Sequence, residues 1–403
     1  MNEELIRQSE ALAPRLDGYR RRALIAGVIG AALTGFGYVS QHDQFFQSYL
    51  LGFAFWISLT LGSLMILMIH HLAGGRWGFA VRRLLEAGTQ TWPVMLVLGL
   101  PVLAGMHELY HWTHADAIDE ILAKKVAYLN ETFFIIRYFL YFAIWGGLSF
   151  FLVRWSRAQD AAVETWPTQR TQTFSGPGLI VLVLTGTFAS VDWLMSLEPH
   201  WFSTIFSAIY LIGGALATWS LTAIVAVSLS RHEPLASLLT NERLRDLGTF
   251  MLGFTMLWAY TSFSQLLIIW SANLPEEITW YYTRLHGGWL YLGYALIAFH
   301  FFVPFLLLIS SRIKGRLKIL VSVACGLLLM RIVDLYWITA PAFQHGSGVE
   351  HASAMPHWLD LSVPLFMGGA WLFVYFGQLK KRSLVALNDP RFDYAALAEE
   401  AHH

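Results

Sequence analysis

Charge is scarce in this sequence, and cysteine is all but missing. Only 13% of the 403 residues are Asp, Glu, Lys or Arg, about half the level of an ordinary soluble domain. The 27 basic and 27 acidic side chains cancel, so there is no net positive field to gather nucleic acid. The one cysteine, Cys325, lies in an apolar run. That excludes a disulfide framework, and equally a cysteine-ligated iron–sulfur cluster or covalently attached haem within this chain. What the sequence does have is hydrophobic bulk: 56% of residues are apolar and 15% aromatic, with a mean hydropathy of +0.50. A bilayer accounts for both features, because a charge at the centre of a spanning helix costs about 2.5–3.5 kcal/mol. The opening MNEELIRQSEALAPRLDGYRRR is polar, and no small-residue cleavage site follows the first apolar stretch. That stretch reads as a retained helix, not a signal peptide.

A hydrocarbon core about 30 Å thick takes about 20 mostly apolar residues per helix. Ten stretches qualify: 23–40, 49–71, 92–110, 133–153, 177–195, 203–229, 247–270, 288–310, 318–338 and 361–379. The expected protein is therefore an all-α membrane protein with an N-terminal segment (1–22), a ten-helix domain (23–379) and a C-terminal tail (380–403). Only the connections 111–132 and 339–360 have any size. Alternate loops and both termini carry 22 Lys and Arg, against Lys124, Lys125 and Arg284 on the other side. Positive charge stays in the cytoplasm, so both termini are expected there.

Two arginines remain, Arg137 and Arg331, and both fall inside expected helices. An intramembrane charge should have a partner. Asp334 lies three residues from Arg331 on one helical face, whereas a partner for Arg137 must come from another helix. Helix five ends Ala189-Ser190-Val191-Asp192-Trp193-Leu194 and helix nine ends Arg331-Ile332-Val333-Asp334-Leu335-Tyr336. Each Asp is about 15 residues into its helix, about 22 Å at 1.5 Å per residue. The match in depth and direction makes two parallel four-helix repeats plausible, helices two to five and six to nine.

The polar residues near the outer side are His107, Glu108, Arg137, Asp192, Arg331 and Asp334. One reading joins them into a cavity open to the outside, either a proton half-channel or the head-group pocket of a quinone, where His or a carboxylate accepts a hydroxyl proton. The other makes them ties between helices, with His107 and Glu108 in the wet head-group layer. On the inner side stand His70, His71 and His300. They read as proton relays or, for His70 and His71 beside the loop Gly74-Gly75-Arg76-Trp77-Gly78, as interface residues. His286 and His300 are spaced as haem ligands on one helix would be, but no second helix offers a matching pair, which argues against haem. A solute transporter has only the parallel repeat in its favour, since the sequence shows no compelling helix interruption at the midplane.

The turn Val191-Asp192-Trp193-Leu194-Met195-Ser196-Leu197-Glu198-Pro199-His200-Trp201-Phe202-Ser203-Thr204 resembles the signature of quinol-oxidoreductase membrane subunits of the NrfD/polysulfide-reductase class, most closely the ActF-type subunit of alternative complex III. Further similar strings are His70-His71-Leu72-Ala73-Gly74-Gly75-Arg76-Trp77-Gly78, Asn273-Leu274-Pro275-Glu276-Glu277 with Trp280-Tyr281, and Arg284-Leu285-His286-Gly287-Gly288-Trp289. The resemblance spans nearly the whole chain. It implies two four-helix bundles, helices two to five and six to nine, flanked by the first and last helices, in a bacterial cytoplasmic-membrane complex that passes electrons from menaquinol or ubiquinol to cytochrome c or an oxidase. Haem c and iron–sulfur subunits would carry the redox centres beside a paralogous membrane subunit. This chain would hold no redox cofactor, and would bind a quinone or lipid, conduct protons or brace the complex.

Overall fold

The computed structural model describes residues 2–114, 119–161, 163–344 and 354–391, and these contain helices and no strand. Ten helices are long and apolar enough to cross a membrane: α1 (Ala13–Ser40), α2 (His42–Ala73), α3 (Arg76–Ala104), α4 (Glu131–Ala161), α5 (Trp166–Leu197), α6 (Phe206–Leu229), α7 (Asn241–Ala272), α8 (Gly287–Ile309), α9 (Leu317–Phe343) and α10 (Leu359–Leu379). The chain is a multi-pass membrane protein. Apolar residues run all round these helices, as spanning segments require once every backbone group is satisfied within the helix.

α2 is buried along its length and forms the axis of the molecule, packing against α3, α5, α6 and α10. Its contact with α6 is close because the crossing residues are small. A Cβ on Gly214 would stand 3.0 Å from Ser58, and Thr218 Oγ1 and Tyr210 Oη donate to the carbonyls of Leu59 (3.2 Å) and Ala54 (2.9 Å). α6 in turn packs on α7 and α9, and α8 lies against α7 and α9. α1 is paired with α10 at glycines: a Cβ on Gly30 would stand 2.5 Å from the Phe366 nitrogen. In lipid, close van der Waals approach of this kind replaces the hydrophobic drive that water supplies elsewhere.

Two elements depart from the sequence reading. α3 begins at Arg76, not near residue 92, so Arg82 and Arg83 are not loop residues but buried helical ones. The physical reason is a set of counter-charges that hydropathy does not see. Glu86 accepts from Arg82 Nε (2.9 Å), Arg83 (2.6 Å), Arg382 (2.9 Å) and Ser156 (2.7 Å). Asp389 accepts from Arg82 Nη1 at 2.7 Å, and Asp160 accepts from Arg382 at 2.5 Å and from Arg83. Further along, α3 is interrupted around Thr91 and Gly99, each followed two residues on by Pro93 or Pro101, which cannot donate to the helix ladder. α8 carries a π-helical segment at Leu296–Phe302, with no proline until Pro304.

The ends of the chain are packed together. The N-terminal segment is helical over Asn2–Ala11. Leu384, Val385, Ala386 and Leu387 are buried, the Leu384 amide donates to Ser9 Oγ (3.1 Å), and Asn2 bonds Asn388 (2.7 Å). Residues 382–391 thus form a strap across the ends of α2, α3 and α4. Residues 392–403 of the 380–403 tail lie outside the described residues, as does part of the 339–360 connection.

Candidate functional site

The charged residues within the spans resolve into separate groups. Arg137 on α4 finds its partner on α5. Its Nε and Nη2 donate to the two oxygens of Asp192 at 2.8 and 2.9 Å, a bidentate pair. Tyr141 Oη donates to the same carboxylate at 2.7 Å, and Arg137 Nη1 reaches the Tyr128 carbonyl at 2.9 Å. The Tyr128 and Phe133 rings lie 4.0 and 4.3 Å from the guanidinium carbon. Every charge here is matched by geometry, as burial demands. Outside the spans, burial also pushes the Tyr128 hydroxyl well above its ordinary range.

His107 and Glu108 do not join this pair. They sit on the rim, Glu108 3.6 Å from His42 and His107 3.5 Å from Glu131, with the His107 side chain 60% exposed. The single outer cluster of the sequence reading therefore separates into a rim pair, the Arg137–Asp192 pair and the group around Arg331. The reason is helix rotation: residues at similar depth on different helices meet only if their faces turn together.

Arg331 and Asp334 are paired on α9, as their spacing predicts, and both are buried. Arg331 Nη2 also donates to the Tyr210 carbonyl of α6 at 2.8 Å. Gly213 is required there, since a Cβ would stand 2.3 Å from the guanidinium. His300 belongs with this group and not with His70 and His71. Its ring stacks on Trp258 at 4.1 Å and 5° and lies within electrostatic reach of Arg331. It projects from the π-helical segment of α8, a distortion that often accompanies functional sites. The Met330 carbonyl approaches the imidazole, yet among the described residues neither ring nitrogen makes a well-formed hydrogen bond.

Beside this group is a cavity of about 660 Å³. Its walls come from α6, α7, α8 and α9, closed at one end by the Pro275–Arg284 helix. The lining is mostly apolar and rich in aromatic rings, with Trp258, Phe263, Tyr294, Phe301 and Trp337 prominent. Polar groups are few, chiefly Asp334, Gln265 and Tyr281. Tyr260, Phe263, Tyr294 and Phe302 are exposed on the outer surface of the helices, so the cavity opens sideways where lipid would lie.

The closing helix is held by residues the sequence reading did not single out as site residues. Arg284, fully buried, donates to Glu198 Oε1 (2.7 Å) and to the carbonyls of Ile338 (2.6 Å), Trp280 (2.9 Å) and Trp337 (3.1 Å). Burial pulls its guanidinium below the ordinary value although Glu198 opposes this. Trp201 stacks on Trp280 at 4.8 Å. Gln265 accepts from Ser203 (2.9 Å) and donates to Tyr281 Oη (3.2 Å), while burial pushes the Tyr281 hydroxyl up to about 12. The signal was present: Glu198 and Arg284 are charges set in otherwise aromatic strings.

His70 and His71 are not interface residues. Both are buried, and among the described residues none of their four ring nitrogens has a hydrogen-bond partner. His70 packs on Trp77 and Phe79, and Gly78 leaves room for its ring, since a Cβ there would stand 1.8 Å from Nδ1. Among the described residues there is no group of His, Cys, Asp and Glu able to hold a metal ion. No protein-family model and no curated protein sequence matches this chain.

Proposed function

We propose that this chain is an integral subunit of a quinol:cytochrome c or quinol:oxidase electron-transfer complex of a bacterial cytoplasmic membrane, and that it binds an isoprenoid quinone. The observation that carries the reading is the 660 Å³ cavity between α6, α7, α8 and α9. A quinone needs flat aromatic walls for its ring, apolar surface for its tail and a few polar groups for its two oxygens. Ligand sites in general combine these features. Both termini would face the cytoplasm, and α2–α5 and α6–α9 would be the two four-helix bundles, joined at the α2–α6 contact. Electrons would pass through haem c and iron–sulfur partner subunits next to a paralogous membrane subunit.

A second reading, a proton-conducting or bracing subunit that never touches quinone, is favoured by one observation. His70 and His71 are buried, with no hydrogen-bond partner for their ring nitrogens among the described residues, and buried polar groups in native proteins are usually satisfied by protein or water. Purifying the native complex through this chain separates the two readings. Haem c and iron–sulfur subunits should co-elute, and solvent extraction should recover quinone. Gly293 lines the cavity, and a Cβ there would meet the Trp337 indole nitrogen at an ordinary contact distance of 3.7 Å. Gly293→Phe should abolish quinone recovery attributable to this chain while the complex stays assembled. Co-elution with unchanged quinone content in Gly293→Phe would favour the second reading, and no redox subunits at all would end both.

A further inference from the structure

Where the first turns of α3 meet the last turns of α4 and α10, a narrow cleft opens beside the strap. Its charged lining residues are Arg83, Glu86, Arg157, Lys381 and Arg382, four basic and one acidic. Glu86 is already taken up by Arg82, Arg83, Arg382 and Ser156. In the network around it three acids, Glu86, Asp160 and Asp389, face four arginines, Arg82, Arg83, Arg382 and Arg391. The network is therefore one positive charge in excess before Arg157 and Lys381 are counted. Those two side chains are exposed and make no ion pair or hydrogen bond among the described residues. Arg83 Nε, although buried, also has no hydrogen-bond partner among them.

We infer that this cleft binds the phosphate of an anionic phospholipid. Its enclosed space is about 20 Å³, room for one oxygen-sized group. A single phosphate oxygen enters, and the rest of the phosphate meets Arg157 and Lys381 at the exposed mouth. Arginine offers phosphate a fixed fork of donors and lysine a point charge. The cleft lies at the ends of three spanning helices, the level of lipid head groups, and basic pockets between such helices hold head groups in this way. Two turns from Arg157 along α4, Phe150 and Phe151 are exposed on the helix surface, an apolar face for the acyl chains. A zwitterionic lipid brings its own cation and leaves the excess charge unmatched, whereas an anionic one neutralises part of it. Bound there, the lipid ties α3 and α4 to the root of the strap. The inference needs only the membrane and stands apart from the quinone reading.

The test uses the full-length chain, purified and delipidated in a neutral detergent, with bound lipid counted by native mass spectrometry. Dioleoyl phosphatidylglycerol and dioleoyl phosphatidylcholine are titrated separately. Each basic residue near the surface is worth about fivefold in affinity for an anionic lipid. The first phosphatidylglycerol should therefore bind at least about fivefold tighter than phosphatidylcholine. Arg157→Gln combined with Lys381→Gln should weaken it roughly twentyfold. Arg312→Gln combined with Lys318→Gln removes two exposed cations from another loop and should leave it in place. Equal binding of the two lipids by the unaltered protein would overturn the inference, and that comparison decides the matter even if a variant fails to assemble. Equal losses in the two double variants would also overturn it, as the mark of a diffuse positive surface and not a site. Displacement of phosphatidylglycerol by millimolar glycerol phosphate would assign the cleft to a soluble phosphate ester and overturn the lipid.

Discussion

Two buried arginine–aspartate pairs are built in different ways, one within a helix and one between helices. Arg331 and Asp334 are three residues apart on one helix, so their meeting is a matter of helical geometry. Arg137 and Asp192 come from different helices, and their bidentate contact with Tyr141 as a third member fastens α4 to α5. Removing one partner of such a pair leaves a buried charge uncompensated, at a cost of about 3–5 kcal/mol. Arg137→Leu and Asp192→Leu should each lower the unfolding midpoint of the purified protein. The double variant should lose clearly less than the sum. Additive losses would mean that the two side chains act independently and that the pair is not a fastening. The need for an interhelical partner for Arg137 was legible from its i±3 and i±4 neighbours, but the identity of that partner depended on how α4 and α5 are rotated.

At the scale of elements, the strap 382–391 shows how charge can be hidden inside an apolar chain. Read by hydropathy alone, Arg82 and Arg83 end a loop. Packed, they are the centre of a network with Glu86, Asp160 and Asp389 that locks the end of the chain to α3 and α4. Burial pushes the Asp389 carboxyl up, but the hydrogen bonds from Arg391 and the charge of Arg82 more than offset it, holding it below the usual carboxylate range. A depressed carboxyl contributes stability above its unfolded value, about 3.9, and loses it as pH falls through the lower folded value. The strap should therefore stay protected from protease at neutral and mildly acidic pH and open only below about pH 4. Asp389→Asn should expose it at neutral pH, with cleavage confined to the C-terminal segment. Equal protection of the variant at pH 7 would show that the buried leucine and valine contacts hold the strap without the ion pairs.

For the whole molecule, the proposed orientation rests on 22 basic residues that the sequence places at alternate helix ends and the termini, two of them the buried Arg82 and Arg83, against three on the other side. A cysteine introduced near Arg243 should be labelled by an impermeant reagent only from the cytoplasmic side, and one near Glu276 only from outside. Labelling of both from one face would break the ten-span topology. The ten helices were already readable in composition and length: long apolar runs can be satisfied in lipid only as helices, and their number follows from counting. The pairing of Arg331 with Asp334 was readable too, because it is local. The cavity, the stacking of His300 on Trp258, the buried orphan nitrogens of His70 and His71, and the capture of Arg284 by Glu198 were not. Each depends on which faces of distant helices turn toward one another. In an all-round apolar helix the pattern that would reveal the inward face is absent, so side-chain volume, glycine contacts and charge pairing across helices decide it only once the chain is packed.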